Sequence, residues 1–158
     1  MIWGALAGGV VGTVVLTTGL RLAQEVGWTR MDIPLLLGTA FSADRGRAEV
    51  IGFAVHFVNG ILFALAYAFV FAATDRADWV LGLALGLVHA LFAGGALVNV
   101  LLPAVHPRMG TPWSDAQETP LLEPPGFMLL NYGRATALVT IVLHLAYGAI
   151  VGAFAGGV

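Results

Sequence analysis

Three histidines stand in stretches of sequence that otherwise hold no charge: His56, His89 and His144. Two of them keep polar company at helical spacing: Asn59 follows His56 by three positions, and Thr140, His144 and Tyr147 are separated by four and three. Residues three and four apart share a helix face, so each group points one way. Imidazoles converging without carboxylate or thiolate suit Cu, Zn, Fe or Ni rather than Mg or Ca. Two histidines at equal depth on different helices also suit the two faces of a b-type haem. Gly86, Gly94, Gly95 and Gly148 would give a macrocycle room, although no buried Arg is at hand for its propionates. A quinone site or proton relay through His56, Asn59, Tyr147 and His144 is a third chemistry. Packing alone stands against all three, because each ring can hydrogen-bond across helices for about 0.6 to 2 kcal/mol. Three rings at a similar depth exceed what such glue requires. The leading expectation is therefore a transition metal (Cu, Zn or Fe) or b-type haem held by His56, His89 and His144, with Asn59, Tyr147, Thr140 and Thr17 supporting the ligands.

Other chemistries have less to stand on. The chain has no cysteine, so it builds no disulfide, thiolate zinc site or iron–sulfur cluster. No GxSxG occurs. His106 precedes Pro107 in a loop that also carries Asp115, Glu118 and Glu123. These could complete a metal site at the mouth of the protein, but a solvated His106 is the plainer expectation. A net charge of −2 on so few charged residues implies no nucleic-acid surface.

The elements that must position these residues follow from hydropathy. Of 158 residues, 59% are hydrophobic and 10% charged, with a mean hydropathy of +0.90. Soluble domains carry about 25% charged residues, because water has to be faced. Four stretches lack Asp, Glu, Lys and Arg altogether: Ile2–Leu20, Val50–Ala73, Val80–Leu102 and Ala135–Val158. About 20 such residues span ~30 Å of hydrocarbon, and unpaired backbone groups in lipid force them to be helices. The expected fold is an all-α membrane protein: an up-down bundle of four transmembrane helices with short interfacial helices in its cytoplasmic connections. It forms a single domain, 1–158, with spans near 2–22, 48–73, 79–102 and 134–157 and long connections 23–47 and 103–133. The first stretch lacks a basic leader and carries glycines through its middle, so it reads as a retained helix rather than a signal peptide. The first connection holds Arg21, Arg30, Arg45 and Arg47 and the third Arg108 and Arg134, against only Arg76 in the second. The positive-inside rule then places both long connections in the cytoplasm and both termini outside. His89 and His144 fall near the midplane, with His56 roughly 7 Å to its cytoplasmic side.

The second connection, TDRADW, is a tight turn with Trp79 at the interface. In the first, Asp32 should cap a short helix with Pro34 in its first turn, and Ser42 and Asp44 offer caps to the second span. The third holds Pro103, Pro107, Pro112, Pro120, Pro124 and Pro125, which rules out a long helix. It reads as a cap over a site or a docking surface. Gly126 to Tyr132 is apolar again and approaches the fourth span along the interface.

Gly4, Gly8 and Gly12 repeat every four residues, as do Gly148, Gly152 and Gly156, and Gly82 and Gly86 make a shorter version. Each set makes a smooth groove for close helix contact, within the chain or between copies in a homo-oligomer.

The stretches GALAGGVVGTVVLT, MDIPLLLG, HFVNGILFALAYAFVF, GLVHALFAGG and HLAYGAIVGA together resemble a family of small, uncharacterised bacterial four-helix membrane proteins. The resemblance covers most of the chain but leaves the third connection unmatched. It implies the four-helix fold, directs attention to Asp32, His56, His89 and His144, and implies no activity. Three functions follow as expectations: a metal- or haem-binding membrane protein, a non-catalytic accessory subunit of a larger membrane complex such as a respiratory one, and a small transporter or proton path.

Overall fold

The computed structural model describes residues 1–109 and 122–157. Four helices are long and apolar enough to cross a membrane: Ile2–Glu25, Arg45–Thr74, Trp79–Val105 and Thr136–Gly156. In chain order these comprise α1 (Ile2–Glu25), α3 (Arg45–Thr74), α4 (Trp79–Leu91) continued by a π-helical segment Phe92–Leu101 and α5 (Leu102–Val105), and α6 (Thr136–Gly156). The short α2 (Ile33–Gly38) precedes α3, and a 3-10 segment, Phe127–Tyr132, precedes α6. Among the described residues there is no strand, only one bridge between Met109 and Leu122.

Local chemistry sets the helix boundaries. Asp32 Oδ1 accepts from the Leu35 amide at 2.9 Å, with Pro34 in the first turn of α2. Asp44 does the same for Arg47 at 2.9 Å, starting α3 three residues before the expected 48. Asp78 accepts from the amides of both Val80 and Leu81, at 2.8 and 2.9 Å. Such caps satisfy first-turn amides that have no partner inside the helix. An exposed Arg21–Glu25 pair at 3.0 Å accompanies the extension of α1 beyond the apolar stretch. Asp75, at φ +50°, ends α3 in the left-handed conformation.

Glycines set the packing. On α1, a Cβ at Gly4 would strike Phe154, at Gly8 the backbone of Val151, and at Gly12 the ring of Tyr147. The register runs backwards along α6, so the two helices are antiparallel. Gly82 and Gly86 meet Gly148 and His144 in the same way, and Gly152 meets Asp78. All the glycine repeats are thus engaged within one chain. Gly9 against Ala64 and Gly60 against Thr13 bring α1 onto α3. Backbone packing joins α4 to α6, α6 to α1 and α1 to α3. The seam between α3 and α4 is filled by side chains instead, chiefly Phe63 and Tyr67 against His89. The outward faces are apolar, with Val14, Val58, Leu62, Phe69, Val88 and Leu138 exposed, which suits a lipid bilayer. Exposed Trp3 and Trp79 mark one end, and Trp28, Phe41 and Phe127 the other, as interfacial aromatics do.

Two features depart from regular helix. The third span does not end at 102 as a plain α-helix. It loosens into a π-helix over Phe92–Leu101 and runs on to Val105. Gly94 and Gly95 have low helix propensity, and Pro103 lacks the amide that would bond the turn before it. Asn99 Nδ2 donates to the carbonyls of Gly94 and Gly95 at 2.8 and 2.9 Å, stabilising the widened turn. In the 3-10 segment, Met128 and Leu129 adopt φ +50° and +63° and are both buried. Conformations of this kind cost about 1–3 kcal/mol each outside glycine, and surrounding structure has to hold them. Arg30 supplies part of that hold. Its amide donates to the Tyr132 carbonyl at 2.7 Å, its guanidinium to the Asn131 carbonyl at 2.6 Å, and it pairs with Glu123 at 3.2 Å.

Candidate functional site

A partly open cavity of about 160 Å³ lies between the four long helices, with Met31, Ile33, Leu36 and Leu37 of the first connection on its wall. Its polar wall is built from His56 and Asn59 on α3, His89 on α4, and Thr140, His144 and Tyr147 on α6. Leu16, Leu20, Leu143 and Val98 make the rest apolar, and Leu129 closes the end beneath the 3-10 segment. The strained backbone of Met128 and Leu129 is thus what drives Leu129 under the cavity. The π-helix contributes Ala93, Leu97 and Val98, and irregular turns of this type are frequent at functional sites.

The rings pack closely. His89 stacks on Phe63 with centroids 3.6 Å apart, and meets His144 edge to face at 4.6 Å and Tyr147 at 5.7 Å. In all three histidines it is Nδ1 that bonds within the protein. His56 Nδ1 lies 3.2 Å from Thr17 Oγ1, His89 Nδ1 3.3 Å from Tyr67 Oη, and His144 Nδ1 2.8 Å from the Thr140 carbonyl. No Nε2 atom of the three has a hydrogen bond among the described residues. The Tyr147 hydroxyl donates to the Gly60 carbonyl at 2.5 Å. Thr140 Oγ1 is the one side-chain polar atom, among the described residues, that is sealed from solvent and has no partner.

The structure brings His56, His89, His144, Asn59, Tyr147 and Thr140 to one cavity and sets Thr17 behind His56. Asn59 lines the cavity without bonding any of the rings. Among the described residues, no group of three or more His, Cys, Asp or Glu is placed to hold a metal ion. Of the loop candidates, Asp115 and Glu118 lie outside the described residues, and Glu123 pairs with Arg30. His106 is not solvated as expected: it is 4% exposed. Its Nε2 donates to the Leu36 carbonyl at 2.9 Å and its Nδ1 accepts from the Arg108 amide at 3.1 Å. It fastens the third connection to α2, because a polar ring buried there needs both bonds.

Sequence reasoning missed Phe63 and Tyr67, which carry His89. The signal was present: Asn59, Phe63, Tyr67 and Phe71 repeat every four residues and continue the face of His56. A second recess of about 250 Å³ lies between α1, α2 and α3, with Arg21, Asp32 and Glu49 on its rim. Thr17 stands between the two, lining this recess while it bonds His56.

No family model, curated protein or solved structure matches this chain.

Proposed function

We propose that the protein is a multi-pass protein of a bacterial inner membrane whose up-down four-helix bundle binds a small, lipid-soluble organic molecule inside the membrane. The observation that carries this reading is the cavity itself. Binding sites are apolar pockets with a few convergent polar groups, and here His56, His89 and His144 line a largely apolar space, each bonded at Nδ1 and with no hydrogen bond at Nε2 among the described residues. Size narrows the ligand. Apolar cavities of about 150 Å³ accept benzene, so 160 Å³ suits one six-membered ring and its small substituents, and a haem would require the helices to part. The seam between α3 and α4, closed by side chains rather than backbone, is the natural route from lipid. The arginine bias supports an orientation with both termini outside and both long connections in the cytoplasm.

Binding is tested on the purified protein in lipid nanodiscs, with 4-propylphenol as probe, by calorimetry and thermal shift. Saturable binding is expected in the wild type, with weakening in Ala93→Leu and loss in Ala93→Trp, both of which fill the cavity from the π-helix. Binding without saturation, or binding indifferent to both variants, overturns the reading. Elemental analysis and the Soret region are measured on the same sample. Stoichiometric metal or haem bound through His56, His89 and His144 would replace the organic ligand with the metal site the histidines first suggest.

A further inference from the structure

Resting on that reading, we infer that the head of the ligand is a donor of two hydrogen bonds: a dihydroxy aromatic ring of the hydroquinone class. The argument is a count of protons, assigned from the bonding network. Thr13 Oγ1 donates to the Gly9 carbonyl at 2.7 Å, and Thr17 Oγ1 to the Thr13 carbonyl at 2.7 Å. A hydroxyl has one proton, so Thr17 can only accept from His56. The His56 proton therefore sits on Nδ1, and Nε2 carries a lone pair. His144 Nδ1 faces the Thr140 carbonyl, which has no proton to give, so His144 Nε2 carries a lone pair as well. Tyr147 has spent its proton on Gly60.

His56 and His144 thus offer two acceptors, one from α3 and one from α6; on the same wall the Asn59 amide both donates and accepts, and His89, against the Tyr67 hydroxyl, takes either tautomer. Among the described residues no carboxylate lines the cavity, so nothing among them compensates a positively charged ring, and the neutral tautomers stand. An acceptor left dry loses the hydrogen bonds it had in water. A ligand with two hydroxyl groups satisfies both lone pairs. At His56 and His144, a quinone, ester or ether of the same shape sets lone pairs against lone pairs.

The test uses the full chain in nanodiscs, under anaerobic reducing conditions, and three probes with one alkyl-substituted ring: the hydroquinone, its monomethyl ether and its dimethyl ether. Each hydroxyl removed is expected to weaken binding about tenfold, the scale of one hydrogen bond plus an unpaired acceptor. His144→Phe and, separately, His56→Phe should each abolish one of the two tenfold steps while leaving dimethyl ether affinity largely in place. Equal affinity for all three probes, or steps unchanged in both variants, overturns the inference while leaving the ligand-binding reading intact. Failure of every probe to saturate removes both.

Discussion

Gly148 sits where α4 and α6 approach most closely, and replacing it with alanine tests whether glycine contact holds the fold. A Cβ at Gly148 would overlap the Gly82 carbonyl oxygen and lie 2.9 Å from both the Cα and the amide nitrogen of Gly86. All three are backbone atoms, so no rotamer change relieves them. Relieving the Gly82 oxygen to the 3.4 Å of ordinary contact means moving one helix by more than an ångström. Overpacking of this kind costs typically about 1–3 kcal/mol. Alanine also gains about 0.8–1.0 kcal/mol of helix propensity over glycine, which masks part of the loss. Gly95→Ala separates the two effects, since nothing lies within 4 Å of a Cβ there and only the propensity gain applies. The difference between the two variants should equal the clash, about 1–3 kcal/mol, with Gly148→Ala the less stable. Equilibrium unfolding of both proteins in mixed micelles, by SDS titration followed through tryptophan fluorescence, measures that difference. Equal stabilities would mean that α4 and α6 are not packed backbone to backbone, and the cavity between them would lose its frame.

Tyr147→Phe removes the bond to the Gly60 carbonyl and should lower stability in the same assay by about 0.6 kcal/mol, at most about 1.7, the range measured for interhelical bonds in a membrane. Thr140→Val exchanges an unpartnered buried hydroxyl for a methyl of the same shape, so the protein should be as stable as the wild type or more so in the same assay. Asn99→Ala withdraws the side chain that holds the Gly94 and Gly95 carbonyls; hydrogen exchange of the Phe92–Leu101 amides should quicken without global unfolding. Burial pushes the Tyr132 phenol up to about 12, with Glu123 adding to the rise. Its proton is retained in the folded state where the unfolded chain has lost it, so its contribution is complete below pH ~10 and fades between pH ~10 and ~12. Tyr132→Phe should therefore lose less stability than the wild type across that window, as read by pH-dependent unfolding.

The four long helices, the cap at Asp32 and the glycine contacts were legible because each rests on composition or on a repeat of three to four residues. Lipid leaves helix as the only local solution, and glycine at every fourth position has few uses besides close approach. The convergence of His56, His89 and His144 was half legible. Depth along a helix can be counted, but rotation about its axis depends on packing, and that is where Tyr67 and Phe63 enter. The π-helix was not legible, since Gly94, Gly95, Asn99 and Pro103 are each ordinary alone and act only as a set. The left-handed pair Met128 and Leu129 carries no local signal at all, since neither residue favours that conformation. Tertiary contacts impose it. His106 misled because histidine beside proline in a polar loop is usually wet.

The two ends of the protein are built on different principles, and the cavity lies where they meet. Toward the termini, glycines let backbones touch, and a contact with no side chains between helices leaves no volume to fill. Beyond Tyr147 the glycine repeats stop on α6, α4 gives way to a π-helix, and Leu129 is pressed in from the 3-10 segment. Side chains now separate the helices, and the irregular backbone leaves a space they do not fill. A protein that needed only stability could place leucine at positions 56, 89 and 144 and close that space with dispersion alone. Instead it holds three imidazoles by Nδ1 and gives their Nε2 atoms no hydrogen bond among the described residues, in an environment where an unpaired polar group is costly. Thr17 continues this logic outward. It takes the His56 proton on one side and lines the charged recess of Arg21, Asp32 and Glu49 on the other. A single hydroxyl thus stands between the buried rings and the charged rim of the second recess.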